Sequence, residues 1–144
     1  MTELYQQLAA VCRRFSVTSL YAFGSRSRDL AARCAGEEGD SSPQPSTDAD
    51  IAVQPVPSAL RSPRDRVALV GELETLFQVP RVDLVILPEA SAFLAADAIR
   101  GELLFCEDEN QQSREELYYL RRAGDLAPLE HERLRLLLAG ELRQ

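Results

Sequence analysis

Three short apolar runs, VTSLYAF at 17–23, DIAV at 50–53 and RVDLVIL at 81–87, are rich in β-branched residues and separated by segments of helical spacing. Runs this short are strands rather than helices, and strands alternating with helix-period segments restrict the chain to an α/β sheet covered by helices. Thr2 can cap a first helix on which Leu4, Leu8, Val11 (or Cys12) and Phe15 recur at helical spacing. Ser62-Pro63-Arg64-Asp65 supplies a cap, a proline at the first helical position and an early acid. Val67, Val70, Leu73, Leu76 and Phe77 then follow on one predicted face, and the helix ends near Val79-Pro80. A short helix from Ser91 to Arg100 stops at Gly101, and ELLFC at 102–106 reads as a last, edge strand. Ser113-Arg114-Glu115-Glu116 is a capping box that opens a helix through Arg122, and Gly124 separates it from a final helix carrying Leu126, Leu129, Leu134, Leu137 and Leu138. The expected organisation is one domain of 144 residues: a core over 1–106 and a C-terminal helical pair over 107–144 packed on it. Residues 34–47 (CAGEEGDSSPQPST) have no period and concentrate Gly, Ser, Pro and acid, which marks a mobile surface loop inserted in that core.

The absences exclude whole chemistries. All 16 basic residues are Arg, since the chain has no Lys, and His131 is its one histidine. Schiff-base catalysis and the Walker P-loop need a Lys, and multi-histidine metal sites need more than one His. His131, beside Glu130 in a charged helix, reads as a surface or interface residue. A net charge of −7 has the wrong sign for general nucleic-acid binding, so any phosphate must be held locally by backbone amides, an Arg or a cation. Cys12, Cys34 and Cys106 are odd in number and far apart, as expected of reduced thiols in a cytoplasmic protein. No apolar run approaches the length of a membrane span.

Against that background two clusters carry chemistry. Asp48 and Asp50, one residue apart at the start of a strand, point to the same face. Two bare carboxylates repel, and a raised pKa or a bound cation relieves them. Asp83, between Val82 and Leu84 in an apolar strand, completes a three-acid set if it lies beside the pair. Three carboxylates with two Mg²⁺ ions can clamp the attacking and leaving oxygens of an in-line phosphoryl displacement. The second cluster is the turn Gly24-Ser25: glycine leaves the backbone open to a phosphate, Ser25 adds a hydroxyl, and Arg26 and Arg28 can pair with phosphate oxygens. For both clusters to meet, strand one must run antiparallel to strand two, and strands two and three parallel with the 63–78 helix as crossover, in a mixed sheet.

GSRSR, TDADIAV and VDLVIL in this order resemble the minimal nucleotidyltransferases of the polymerase-beta-like superfamily, over roughly residues 1–106. The resemblance implies that Gly24 and Ser25 position a nucleoside triphosphate, ATP by analogy, that Asp48 and Asp50 ligate Mg²⁺, and that Asp83 is a third ligand or the base toward an acceptor hydroxyl. It also implies antitoxin action beside a HEPN-type toxin, with AMP passed to a Tyr or Ser hydroxyl of that partner. Modification of a small molecule such as an aminoglycoside, and an antitoxin that only binds, are the alternatives. Two departures from the family pattern are visible: residues 26–47 separate Ser25 from Asp48 more widely than usual, and Asp29 stands where the family often has Gly. For a protein acceptor the expected docking anchors are Tyr118, Tyr119, Arg121 and Arg122.

Overall fold

The computed structural model describes residues 2–37 and 48–142, with side chains as far as residue 140. Its elements run α1 (Glu3–Arg14), β1 (Val17–Phe23), α2 (Ser27–Cys34), β2 (Ala49–Pro55), α3 (Pro63–Phe77), β3 (Val82–Ile86), α4 (Ala92–Ile99), β4 (Glu102–Cys106) and α5 (Glu109–Leu142). Most of the expected loop, 38–47, lies outside the described residues. The four strands form one mixed sheet in the order β3-β2-β1-β4. β1 pairs antiparallel with β2 and β4, while β2 and β3 run parallel with α3 as the crossover, as the placement of the acids requires.

Local chemistry explains the element boundaries. Thr2 caps α1 by accepting from the Tyr5 amide at 3.1 Å, and Ser62 caps α3 by accepting from the Asp65 amide at 3.1 Å, with Pro63 at the first helical position. The α1 to α3 side of the sheet buries Leu8, Cys12, Leu30, Leu69, Leu73 and Phe77 against Leu20, Ile51 and Val53. The opposite side buries Tyr21, Ala52 and Leu87 against Ala95, Ala98 and Ile99 of α4 and Tyr119 of α5. On α3 the buried stripe is Leu69, Leu73 and Phe77 at spacings of four; of the predicted face, Leu73 and Phe77 belong to it, Val70 and Leu76 pack at its edge, and Val67 is 72% exposed. Apolar residues from Val67 to Val70 allow either stripe, and contact with the sheet selects one.

The expected C-terminal helix pair is instead one continuous helix, α5, of 34 residues. Asp108 starts it by accepting from the amides of Asn110 at 2.9 Å and Gln111 at 3.4 Å, well before the predicted capping box at Ser113. Gly124 and Pro128 both lie inside it. A helix-interior Pro loses one hydrogen bond and crowds the carbonyl four residues back, here that of Gly124, at a cost of about 3 kcal/mol relative to Ala. Strong helix formers flank it, and ion pairs Arg133–Glu130 (2.9 Å) and Arg135–Glu132 (2.6 Å) support the distal turns, so the breakers do not end the helix. Nor do the leucines after Gly124 join the core: Leu129, Leu136 and Leu138 are exposed. Among the described residues no helix is long and apolar enough to cross a membrane.

Candidate active site

The end of β1 sets the geometry. Phe23 pairs in register with Asp50 across β1 and β2, and Asp50 with Asp83 across β2 and β3, so the two acids occupy neighbouring strands about 4.8 Å apart. Strand alternation puts Asp50 on the same side as Ala52, and Ala52 packs with Tyr21 and α4. The acids therefore lie on the α4 and α5 side of the sheet, at the beginning of the parallel strands, where β1 ends.

Beyond Phe23 the chain enters the polar, Arg-rich SRSRDLAAR, whose composition lets a helix begin at Ser25, but no α-helix starts there. The chain first makes a 3-10 turn, Gly24–Arg26, and α2 begins at Ser27. Gly24 has a φ of 75°, and a Cβ there would collide with the Asp50 carboxylate. Only glycine lets the turn backbone sit against that acid, which brings the Gly-Ser turn and the Asp-x-Asp strand into one site. Gly101 acts similarly from the other side, since a Cβ on it would strike the Ala22 carbonyl, and so the turn before β4 packs directly on the end of β1.

Burial pushes the Asp50 carboxyl above the usual carboxylate range, and the nearby Asp83 and Asp48 carboxylates push it further. Asp48 and Asp83 thus lie close enough to Asp50 to act on its carboxyl. The three side chains do not form a closed cage, however. The Asp83 carboxylate turns to Arg81 at 3.2 Å, with both groups well exposed, and among the described residues no three His, Cys, Asp or Glu side chains are arranged to hold a metal. What remains facing Gly24 is Asp50 with Asp48 beside it. An all-oxygen pair of this kind fits Mg²⁺, which commonly takes one or two carboxylates and completes its shell with water and substrate phosphates. An exposed ion pair is worth about 0–1 kcal/mol, so Asp83 can exchange Arg81 for a cation at little cost.

The predicted phosphate arginines differ from each other. The Arg26 guanidinium lies 3.1 Å from Asp29, and Arg33 approaches the same carboxylate at 3.8 Å while donating to the Phe77 carbonyl at 2.9 Å. Asp29 thus fastens the turn to α2 and is itself neutralised, so its replacement of the more usual glycine does not leave an open negative charge. Arg28 and Ser25 are exposed, and Ser27 donates to the Gly24 carbonyl at 3.0 Å. Arg33 and Arg81 escaped the sequence reading. Arg81 was detectable in principle, because period-two alternation puts it on the same strand side as Asp83.

Of the expected docking residues, Tyr118 is 60% exposed, whereas Tyr119 is buried and donates to Gln54 Oε1 at 2.6 Å. Tyr119 is therefore a core anchor of α5 and not part of a docking face.

No family model matches the chain, and no curated protein matches it. Solved structures do. The chain is similar to a protein in the crystal structure of a toxin–antitoxin complex with AMP-PNP, at 21% identity and a TM-score of 0.65 over 95% of this chain and 98% of that one. It is similar at 20% identity and a TM-score of 0.65, over 95% and 98% of the two chains, to one in a MntA toxin–antitoxin complex whose two substituted aspartates stand one residue apart. A third similarity is to a protein in the structure of a tri-AMPylated Shewanella oneidensis HEPN toxin in complex with MNT antitoxin, at 20% identity and a TM-score of 0.61 over 96% of each chain. Likeness at these identities establishes a shared fold along nearly the whole chain.

Proposed function

We propose that the chain is a Mg²⁺-dependent nucleotidyltransferase that moves AMP from ATP to a Tyr or Ser hydroxyl of a HEPN-type partner and so acts as its antitoxin. The observation that carries this reading is the convergence at one sheet end of a glycine turn that tolerates no Cβ, a carboxylate against it, and a third acid in register on the next strand. The shared fold supports it, because complexes of that fold hold AMP-PNP and an AMPylated HEPN toxin.

In the proposed reaction the turn Gly24–Arg26 receives the triphosphate along its backbone, Ser25 donates a hydrogen bond to a phosphate oxygen, and the exposed Arg28 pairs with another. Asp48 and Asp50 would hold Mg²⁺, which supplies charge neutralisation for the α-phosphate and for the leaving pyrophosphate. The acceptor oxygen attacks the α-phosphorus in line; the new O–P bond forms as the bond to pyrophosphate breaks. The acceptor proton passes to Asp83, whose position on the strand beside Asp50 lets it face the incoming hydroxyl once it leaves Arg81. The binding-only alternative has its own support in the Asp83–Arg81 pair, which keeps the third acid occupied.

The deciding experiment incubates the protein with α-labelled ATP, Mg²⁺ and the product of the neighbouring gene. Label should appear on that product, little should appear without it, and Asp48→Asn and Asp50→Asn should each reduce transfer by at least about 10²-fold, the scale of losing one key electrostatic contact. Neutralisation by both variants as effective as by wild type would establish the binding-only antitoxin. Efficient labelling of an aminoglycoside by the isolated chain would instead establish the small-molecule reading.

A further inference from the structure

The acids occupy the N-terminal ends of β2 and β3, but a roomy hollow lies at the other ends of these strands. A cavity of about 770 Å³ opens between Gln54 of β2, Ile86 of β3, the turn at Pro57 and the first half of α5. Four residues of strand put Gln54 about 13 Å from Asp50. The volume lies within the range of about 300–1,000 Å³ usual for small-molecule sites.

Its lining is unlike the rest of the chain. In a protein of net charge −7, Arg61, Arg66, Arg114 and Arg122 all reach this one hollow, against two carboxylates, Glu89 and Glu115. Both carboxylates are already engaged. Glu89 pairs with Arg66 at 2.7 Å, and Glu115 accepts from Gln111 at 3.1 Å and from Ser19 at 3.4 Å. Arg114 and Arg122 form no ion pair among the described residues. Between the cations the surface is apolar, from Val56, Ile86 and Pro88, and the Tyr118 ring stands at the rim, braced edge-on by Tyr119 at 5.1 Å between centroids. Guanidinium groups pair with phosphate bidentately, and an aromatic wall stacks on a planar ring.

We propose that this cavity is a second ligand site, for a planar ring carrying a phosphate, with Arg114 and Arg122 on the phosphate and Tyr118 on the ring. The ligand chemistry fits either a mononucleotide or a non-nucleotide aryl phosphate. The site does not depend on the activity proposed above, and it can be occupied while a triphosphate is bound at the Gly24 turn.

The test is calorimetric titration of the full chain with phenyl phosphate, AMP and inorganic phosphate, each with and without saturating Mg²⁺ and AMP-PNP. Phenyl phosphate or AMP should bind once per chain under both conditions, and more tightly than inorganic phosphate. Tighter binding of AMP identifies a nucleotide site, and equal binding a general aryl phosphate site. Arg114→Gln with Arg122→Gln should weaken binding roughly tenfold or more, the scale of losing a charge-assisted hydrogen bond, and Tyr118→Ala should weaken both organic ligands but not inorganic phosphate. Arg133→Gln, on the distal part of α5, should change nothing. The melting temperature of each variant establishes that it is folded. The proposal is overturned if neither organic ligand binds in the millimolar range, if AMP-PNP displaces both, if inorganic phosphate binds as well as they do, or if the arginine variant binds like wild type.

Discussion

Asp50 is the residue on which the candidate site turns, and its environment makes a measurable statement. Burial first, then Asp83 and Asp48, raise its carboxyl pKa above that in the unfolded chain. A raised acid in the native state means that the folded protein holds its proton at a pH where the unfolded chain has released it. Stability from this group is therefore fully present below the ordinary carboxylate value of about 3.9 and declines as pH rises through the raised native value. Asp50→Asn removes the titration while keeping the shape. Without metal, thermal melts from acid toward neutral pH should show wild type losing stability relative to Asp50→Asn, with the variant the more stable at neutrality. An identical pH dependence of the two would mean that Asp50 does not feel its neighbours.

At the scale of elements, α5 divides into two halves with different support. Up to Ala123 it is held by Tyr119 against β2 and by its packing on α4. Beyond Gly124 the leucines from Leu126 to Leu138 are exposed, and the turns there rest on helix propensity and on ion pairs within the helix. Pro128 opposes that propensity. Pro128→Ala should accordingly raise the local helical stability by about 3 kcal/mol, seen as increased far-UV ellipticity and slower amide exchange after Gly124. The cooperative unfolding of the core should hardly move, because among the described residues no side chain after Ala123 belongs to the buried core. A large shift in the core transition would show that the distal half packs on something.

At the scale of the whole molecule, the sheet holds together two segments distant in sequence, the turn after β1 and the strand starts of β2 and β3, and ligand binding at that junction must be linked to folding. Mg²⁺ with AMP-PNP should stabilise the protein by RT ln(1 + [L]/Kd), about 2.7 kcal/mol at a hundredfold excess over Kd. EDTA should remove the gain. An equal shift in melting temperature with and without Mg²⁺ would argue against a metal-bridged triphosphate.

The sequence by itself determined the strand and helix order up to β4, the antiparallel pairing of β1 with β2 and the parallel pairing of β2 with β3. Alternation, capping residues and the position of an acid at a strand start are local signals, and local signals survive without knowledge of the fold. Only the tertiary structure decided which α3 stripe is buried, that Tyr119 belongs to the core, and that Asp83 is turned to Arg81. These depend on what lies opposite, which no periodicity records. The same reason accounts for α5: Gly124 and Pro128 carry genuine breaking signals, but whether they end a helix depends on the balance of its whole length, and here the flanking turns outweigh them.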